Sequence, residues 1–200
     1  MSPLLYEASE TADVVTIPAR KVLAYDGKGA PESSAFQAAF GALYGVAYTL
    51  RFARKKSGGP EFKIGPLEGR WWAEGAGDTV FRAPRDTWCW SLRIAVPSDV
   101  TKAEVARAIT EATTRKGGKL ENSAEAGRVA LVSLPAARMG RGLHVGPYAD
   151  EARTFARIEE ALGAVGLARA PSHTEVYLSD PRRTPPARLK TVLLSETHPK

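Results

Sequence analysis

The residues best placed for chemistry in this chain are carboxylates set among aromatic rings. Residues 173–178 read His-Thr-Glu-Val-Tyr-Leu. As a strand they put His173, Glu175 and Tyr177 on one side and Thr174, Val176 and Leu178 on the other. In the segment Pro66-Leu67-Glu68-Gly69-Arg70-Trp71-Trp72, Glu68 shares strand parity with Trp72. A carboxylate among aromatic faces attracts a planar or cationic ligand through charge, stacking and cation–π attraction. Partial burial raises a carboxyl pKa and suits such a group to proton transfer near neutral pH. Taken alone, Glu175 reads equally well as an exposed strand residue paired with Arg182 or Arg183. All four tryptophans, Trp71, Trp72, Trp88 and Trp90, fall in two strand candidates. Neighbours in a strand face opposite sides, so one of Trp71 and Trp72 looks away from the helices. There it covers a pocket, an interface or a partner, or it lies beneath other chain segments.

Other chemistries find no residues to carry them. Cys89 is the single cysteine, which excludes an internal disulfide framework and a thiolate metal cluster. It reads as a structural thiol between two tryptophans, with no activating base beside it. His144, His173 and His198 lack metal-ligand spacing. No nucleophile elbow, zinc-protease helix, P-loop or dinucleotide fingerprint is present. No metal and no cofactor are expected. The 200 residues carry 28 Lys and Arg against 22 Asp and Glu, a net charge of +6. That balance raises nucleic acid as a partner. The clusters Arg51/Arg54/Lys55/Lys56, Arg115/Lys116/Lys119 and Arg182/Arg183 sit at helix ends and loops, which reads as solvated surface. No apolar run approaches the roughly 18 residues of a membrane span, and the start lacks a signal-peptide pattern. The expected setting is the cytoplasm, with no membrane partner. The oligomeric state is open, with a monomer plausible.

The elements that must position these residues follow from periodicity. Residues 1–13 are polar and are expected to be flexible. Lys21–Tyr25 reads as a strand. Ser34-x-x-Gln37 is a capping-box pattern opening a helix over 34–56, with Phe36, Phe40, Leu43, Ala47 and Leu50 on one face. Tyr44 and Tyr48 share a face beside that stripe. Strands are expected over Phe62–Ala73 and Trp88–Val96, with a loop at Gly75–Asp78. Thr101-x-x-Glu104 caps an extra helix over about 101–116, stopped at Lys116-Gly117-Gly118. A polar loop over 119–127 follows. Strands at Arg128–Leu134 and Arg138–Val145 precede a helix with Phe155, Ile158, Leu162 and Val165 on one face. Asp150 is its expected N-cap and Glu151 a charge at its positive end. Strands at His173–Leu178 and Leu189–Ser195 close the chain. The order is a βαββ unit used twice. It predicts an α+β fold, a duplicated βαββ module with a mainly antiparallel sheet, helices on one side and a central ligand groove. The halves are about 14–97 and 128–196, joined by the extra helix, in one domain over 14–200.

Four segments together resemble the GyrI-like small-molecule-binding domain family, in its stand-alone form. They are Leu43-Tyr44-Gly45-Val46-Ala47-Tyr48, Pro66–Trp72, His144-Val145-Gly146-Pro147-Tyr148 and His173–Arg183. The likeness runs from about residue 14 to 196. It implies a duplicated βαββ module around a ligand groove, binding bulky aromatic or cationic compounds. The 13 residues before the first strand hold no helix-turn-helix, so no direct nucleic-acid partner is expected. Some stand-alone members resemble hydrolases that open the cyclopropane ring of DNA-alkylating compounds. Carried over by motif, Glu175 polarises water or contacts a cation, and Tyr148 orients ligand or water. Tyr44, Tyr48, Glu68, Trp72, Trp90 and Tyr177 then line the groove. The leading expectation is capture of a planar or cationic xenobiotic without chemistry. The alternative is a cyclopropanoid hydrolase with Glu175 activating water. A protein-partner module using exposed tryptophans is a third.

Overall fold

Ser33 sets where the long helix begins. Its backbone is extended, and its hydroxyl accepts from the Phe36 amide at 3.3 Å. The expected Ser34–Gln37 box is therefore shifted by one residue, because Ser34 is already helical and the Gln37 side chain donates to the Pro31 carbonyl instead. The computed structural model describes residues 3–74, 80–114 and 124–200. Among these the order is β1 (Asp13–Ile17), β2 (Arg20–Lys28), α1 (Ser34–Lys56), β3 (Leu67–Trp72), β4 (Cys89–Val96), α2 (Lys102–Thr114), β5 (Ala130–Leu134), β6 (Ala137–Val145), α3 (Ala152–Gly163), β7 (Leu167–Tyr177) and β8 (Lys190–Pro199). The Gly75–Asp78 loop, the Arg115/Lys116/Lys119 cluster, the 116–118 helix stop and the loop over 119–123 lie outside the described residues. Residues 124–128 form a 3-10 turn where a loop and a strand start were expected. No helix among the described residues is long and apolar enough to cross a membrane.

The fold is α+β with antiparallel pairing, in two compact units. The first unit contains Arg20–Gly65 and Pro84–Leu134. Its strands run in the order β4-β2-β5. α1 packs on β2 and β4, and α2 packs on α1. Leu23, Leu43, Leu50, Trp90, Leu92 and Ile94 are fully buried there. Arg54 is buried at the end of α1 and bonds Glu104 at 2.9 Å and Asp99 at 3.1 Å, tying α1 to the start of α2. The Thr101–Glu104 capping box forms as read: the Thr101 amide donates to Glu104 at 2.8 Å, and the Glu104 amide to the Thr101 hydroxyl at 3.2 Å.

The second unit contains the chain up to Ala19, Pro66–Ala83 and Pro135–Lys200. Its strands run β1-β6-β8-β7-β3. α3 lies on one face, close to β6. Gly140 permits that approach, since a Cβ there would stand 2.5 Å from Ile158 Cγ2. Leu5, Ile17, Val176, Val192 and Leu194 pack together in this unit's other core cluster.

Several boundaries differ from the sequence reading, and β3 is shorter than expected, Leu67–Trp72 rather than Phe62–Ala73. β7 starts at Leu167 rather than His173, because a register shift between Arg169 and His173 breaks the alternation. β8 continues past Ser195 to Pro199. The N-cap of α3 is Glu151, not Asp150, because Tyr148–Asp150 forms a 3-10 turn first. The opening segment, expected to be flexible, is pinned from residue 4 onward. Leu5 is 1% exposed, and Arg141 donates to the carbonyls of Leu4 and Glu7 at 2.7 and 2.9 Å. The sequence halves also differ from the units. β1 and β3 come from the first half and pair in the second unit, whereas β5 does the reverse.

Candidate functional site

The site is written in the register of β3 against β7. Gly69 faces Glu175, Trp71 faces His173 and Leu67 faces Tyr177. Facing residues in an antiparallel pair project from the same side. Glu175, 8% exposed, therefore shares a face with Trp71 and Tyr177. The Trp71 indole N–H donates to the Tyr177 hydroxyl oxygen at 3.2 Å. Burial, then the nearby charge of Glu175, raises the Tyr177 phenol, so it keeps its proton. Gly69 makes room, because a Cβ there would stand 2.9 Å from both Trp71 Nε1 and the Tyr177 oxygen. From the other side, His173 Nε2 lies 3.0 Å from Glu175 Oε1. A carboxylate only accepts, so Nε2 carries the proton. Arg182, the partner considered for Glu175, forks onto Asp180 instead.

Tyr148 reaches the site from the turn after β6. Gly146 has φ 137°, which favours glycine. His144 staples the turn: its Nε2–H donates to the Pro147 carbonyl at 3.0 Å, and its Nδ1 accepts from the Thr154 hydroxyl at 3.1 Å. The Tyr148 ring stands edge-on to Tyr177, with centroids 6.0 Å apart and planes at 87°. Tyr148 is 38% exposed and forms the accessible part of the cluster.

Glu151 is the member that the sequence reading missed. It is 2% exposed, and its Oε1 has no hydrogen-bond partner among the described residues. Burial, then the charge of Glu175, pushes its carboxyl up to about 10. Burial and the same carboxylates push the Tyr148 phenol up to about 12 and raise Tyr177 well above its usual range. Near neutral pH the cluster thus holds a neutral carboxyl at Glu151 and two intact phenols. A signal for Glu151 was present: 151, 155, 158 and 162 are spaced four, three and four, which puts it on the buried face of α3.

A model of the GyrI-like small molecule binding domain matches residues 11–194. The chain belongs to the GyrI-like family. An uncharacterized conserved protein from Listeria innocua is 30% identical, with 98% of this chain and 96% of that one covered at a TM-score of 0.86. A hydrolase from Listeria innocua is 29% identical over the same shares, at 0.84. The EcmrR C-terminal domain, 12% identical with 94% and 98% covered at 0.57, shares the fold alone. No curated protein matches the chain.

Of the residues expected to line the GyrI-like groove, Glu175, Tyr177 and Tyr148 come together. Glu68 and Trp72 do not join them. Glu68 pairs with Val176, so the two lie on the opposite face, where the Arg70 guanidinium stacks 5.0 Å from the Trp72 ring. Trp71 takes the place expected of Trp72. Trp90 is a core residue of the first unit, 1% exposed, with its N–H on the Gly29 carbonyl at 3.1 Å. Tyr44 and Tyr48 belong to a row of rings on α1, Phe40–Tyr44–Tyr48–Phe52, in the first unit. Cys89 is part-buried, with Sγ 3.8 Å from the Thr87 carbonyl. Among the described residues no group of three His, Cys, Asp or Glu side chains is placed to hold a metal ion.

Proposed function

We propose that this GyrI-like protein hydrolyses a small strained electrophile of the cyclopropane-bearing, DNA-alkylating class. The observation that carries the reading is the pairing of the Glu175 carboxylate with the neutral, buried Glu151 carboxyl beside Tyr148 and Tyr177. A carboxyl kept protonated by burial beside a second carboxyl group is a recurrent source of a catalytic acid. The similarity to a hydrolase from Listeria innocua over nearly the whole chain supports it. In the step proposed, a water oxygen bonds to a ring carbon and Glu175 takes the water proton. The carbon–carbon bond breaks, and its electron pair moves into the compound's conjugated carbonyl. Glu151 gives a proton to that oxygen. Tyr148 holds the ligand through its ring and hydroxyl.

The test follows the loss of the substrate chromophore. Glu175→Gln is expected to lower kcat on the order of a hundredfold, and full turnover in that variant overturns the reading. A second reading is capture without chemistry. It is favoured by the rings of Trp71, Tyr148 and Tyr177 around one negative charge, a setting suited to a planar cation. Tight binding of a dye cation that quenches tryptophan fluorescence, with no turnover by the parent protein, selects this second reading.

A further inference from the structure

The first unit holds another tyrosine–carboxylate pair, with no part in the chemistry above. The Tyr25 hydroxyl donates to Glu125 Oε2. The Tyr25 ring is buried and stacks on Trp90, with centroids 6.2 Å apart and planes at 21°. The other contact is a cation: the Arg128 guanidinium lies 4.7 Å from the Tyr25 ring centroid. Arg128 also donates to Glu125 Oε2 at 3.3 Å and to the Asp26 carbonyl at 3.2 Å. Both bonds are long for charge-assisted ones, and the Arg128 side chain is 60% exposed. Beside it lies a recess of about 200 Å³ lined by Tyr25, Gly27, Ala38, Trp90, Glu125 and Arg128. Gly27 lets the Trp90 ring lie flat on β2, since a side chain there would run into the indole.

We propose that this recess is a second ligand site, for planar aromatic amidinium or guanidinium compounds, and that Arg128 is its built-in occupant. The chain's own guanidinium displays the chemistry of the site: a flat cation on an aromatic face with a carboxylate at its edge. Arg128 holds that position from the solvent side, beside the recess. An amidinium carrying an aromatic ring makes both contacts at once. The volume suits one ring with its head group, well below a drug-sized cavity. Lys28, also part of the lining, adds a positive charge and selects against dications. The affinity for the ligand is lowered by the need to displace Arg128, so the arginine acts as a plug.

The test uses the full chain and benzamidinium, read by the NMR shift of the Trp90 indole N–H. Binding is expected in the parent and about tenfold tighter in Arg128→Ala, where nothing has to be displaced. Glu125→Gln is expected to weaken it about tenfold. Ala38→Phe, which fills the recess from α1, is expected to abolish the shift. No Trp90 shift in Arg128→Ala at about 20 mM benzamidinium overturns the proposal. So does undiminished binding in Ala38→Phe, or benzoate binding as well as benzamidinium. If Arg128→Ala fails to fold, Arg128→Gln and Ala38→Phe carry the same comparison. The Trp90 shift is expected to persist in Glu175→Gln, and its loss there overturns a separate site.

Discussion

His173 grips Glu175 through one ring nitrogen, while its imidazole is clamped between Phe81 and Phe155. The centroid distances are 5.2 Å to Phe81, at 30°, and 4.9 Å to Phe155, at 70°. The other nitrogen, Nδ1, is buried without a partner among the described residues. The clamp fixes the ring plane, so the Nε2–H to Oε1 bond fixes one carboxylate oxygen, and in the proposed hydrolysis Oε2 takes the water proton.

Under the proposed hydrolysis His173 is a positioning residue. His173→Phe keeps the packing and loses the donor. Its kcat is expected to fall about tenfold with KM little changed, whereas His173→Gln, which retains an N–H, recovers most of the rate. Steady-state kinetics on the three proteins decides it. Equal kcat in His173→Phe and the parent contradicts the role.

Glu151 gives stability a specific pH dependence. Its folded-state pKa, about 10, lies above the unfolded value near 4.5. Between these values the folded state keeps a proton that the unfolded state releases, so stability falls as pH rises through that window. Thermal melts between about pH 5 and pH 9 are expected to show a decline in Tm that is shallower in Glu151→Gln. A parallel decline in the two proteins refutes it.

The Arg54 pair has the opposite sign. Its hydrogen bond to Arg54 holds the Glu104 carboxyl down at about 2, against an ordinary 4.5. The stability it contributes is present above the unfolded pKa and is lost as pH falls toward about 2. Glu104→Gln is therefore expected to be less stable than the parent at neutral pH, with the gap closing in acid. Urea melts at about pH 7 and about pH 3 measure it.

Gly69→Ala tests the packing of the site. The added methyl would meet Trp71 Nε1 and the Tyr177 oxygen at 2.9 Å and would drive the pair apart. Overpacking of this kind costs about 1–3 kcal/mol. A drop in urea midpoint together with a changed tryptophan emission is expected. An unchanged midpoint shows that the two rings move aside freely.

Local alternation was enough to group part of the candidate site. His173, Glu175 and Tyr177 share a face because three residues two apart in one strand must do so. The partners across the sheet were not legible, because the β3–β7 register joins residues more than a hundred positions apart. Parity within β3 correctly grouped Glu68 with Trp72, and only that register shows that the group faces away from Glu175. Trp90 was misread for a related reason: its ring packs on Tyr25 and Phe36, contacts that no local pattern displays. Glu151 was read as a helix-end charge because carboxylates are usual there. Its burial follows from a helical spacing that was visible but outweighed by residue type.

The exchange of strands between halves has a consequence during synthesis. The segments of the first unit are complete once residue 134 has emerged. β1 and β3 emerge earlier but wait for β6, β7 and β8. Leu4 to Glu7 likewise wait for Arg141. The Glu175 wall thus takes shape only after β7 and β8 have left the ribosome. A chain truncated before β8 retains Glu175, Tyr148 and Glu151 in its sequence and lacks the strand that joins β7 to β6.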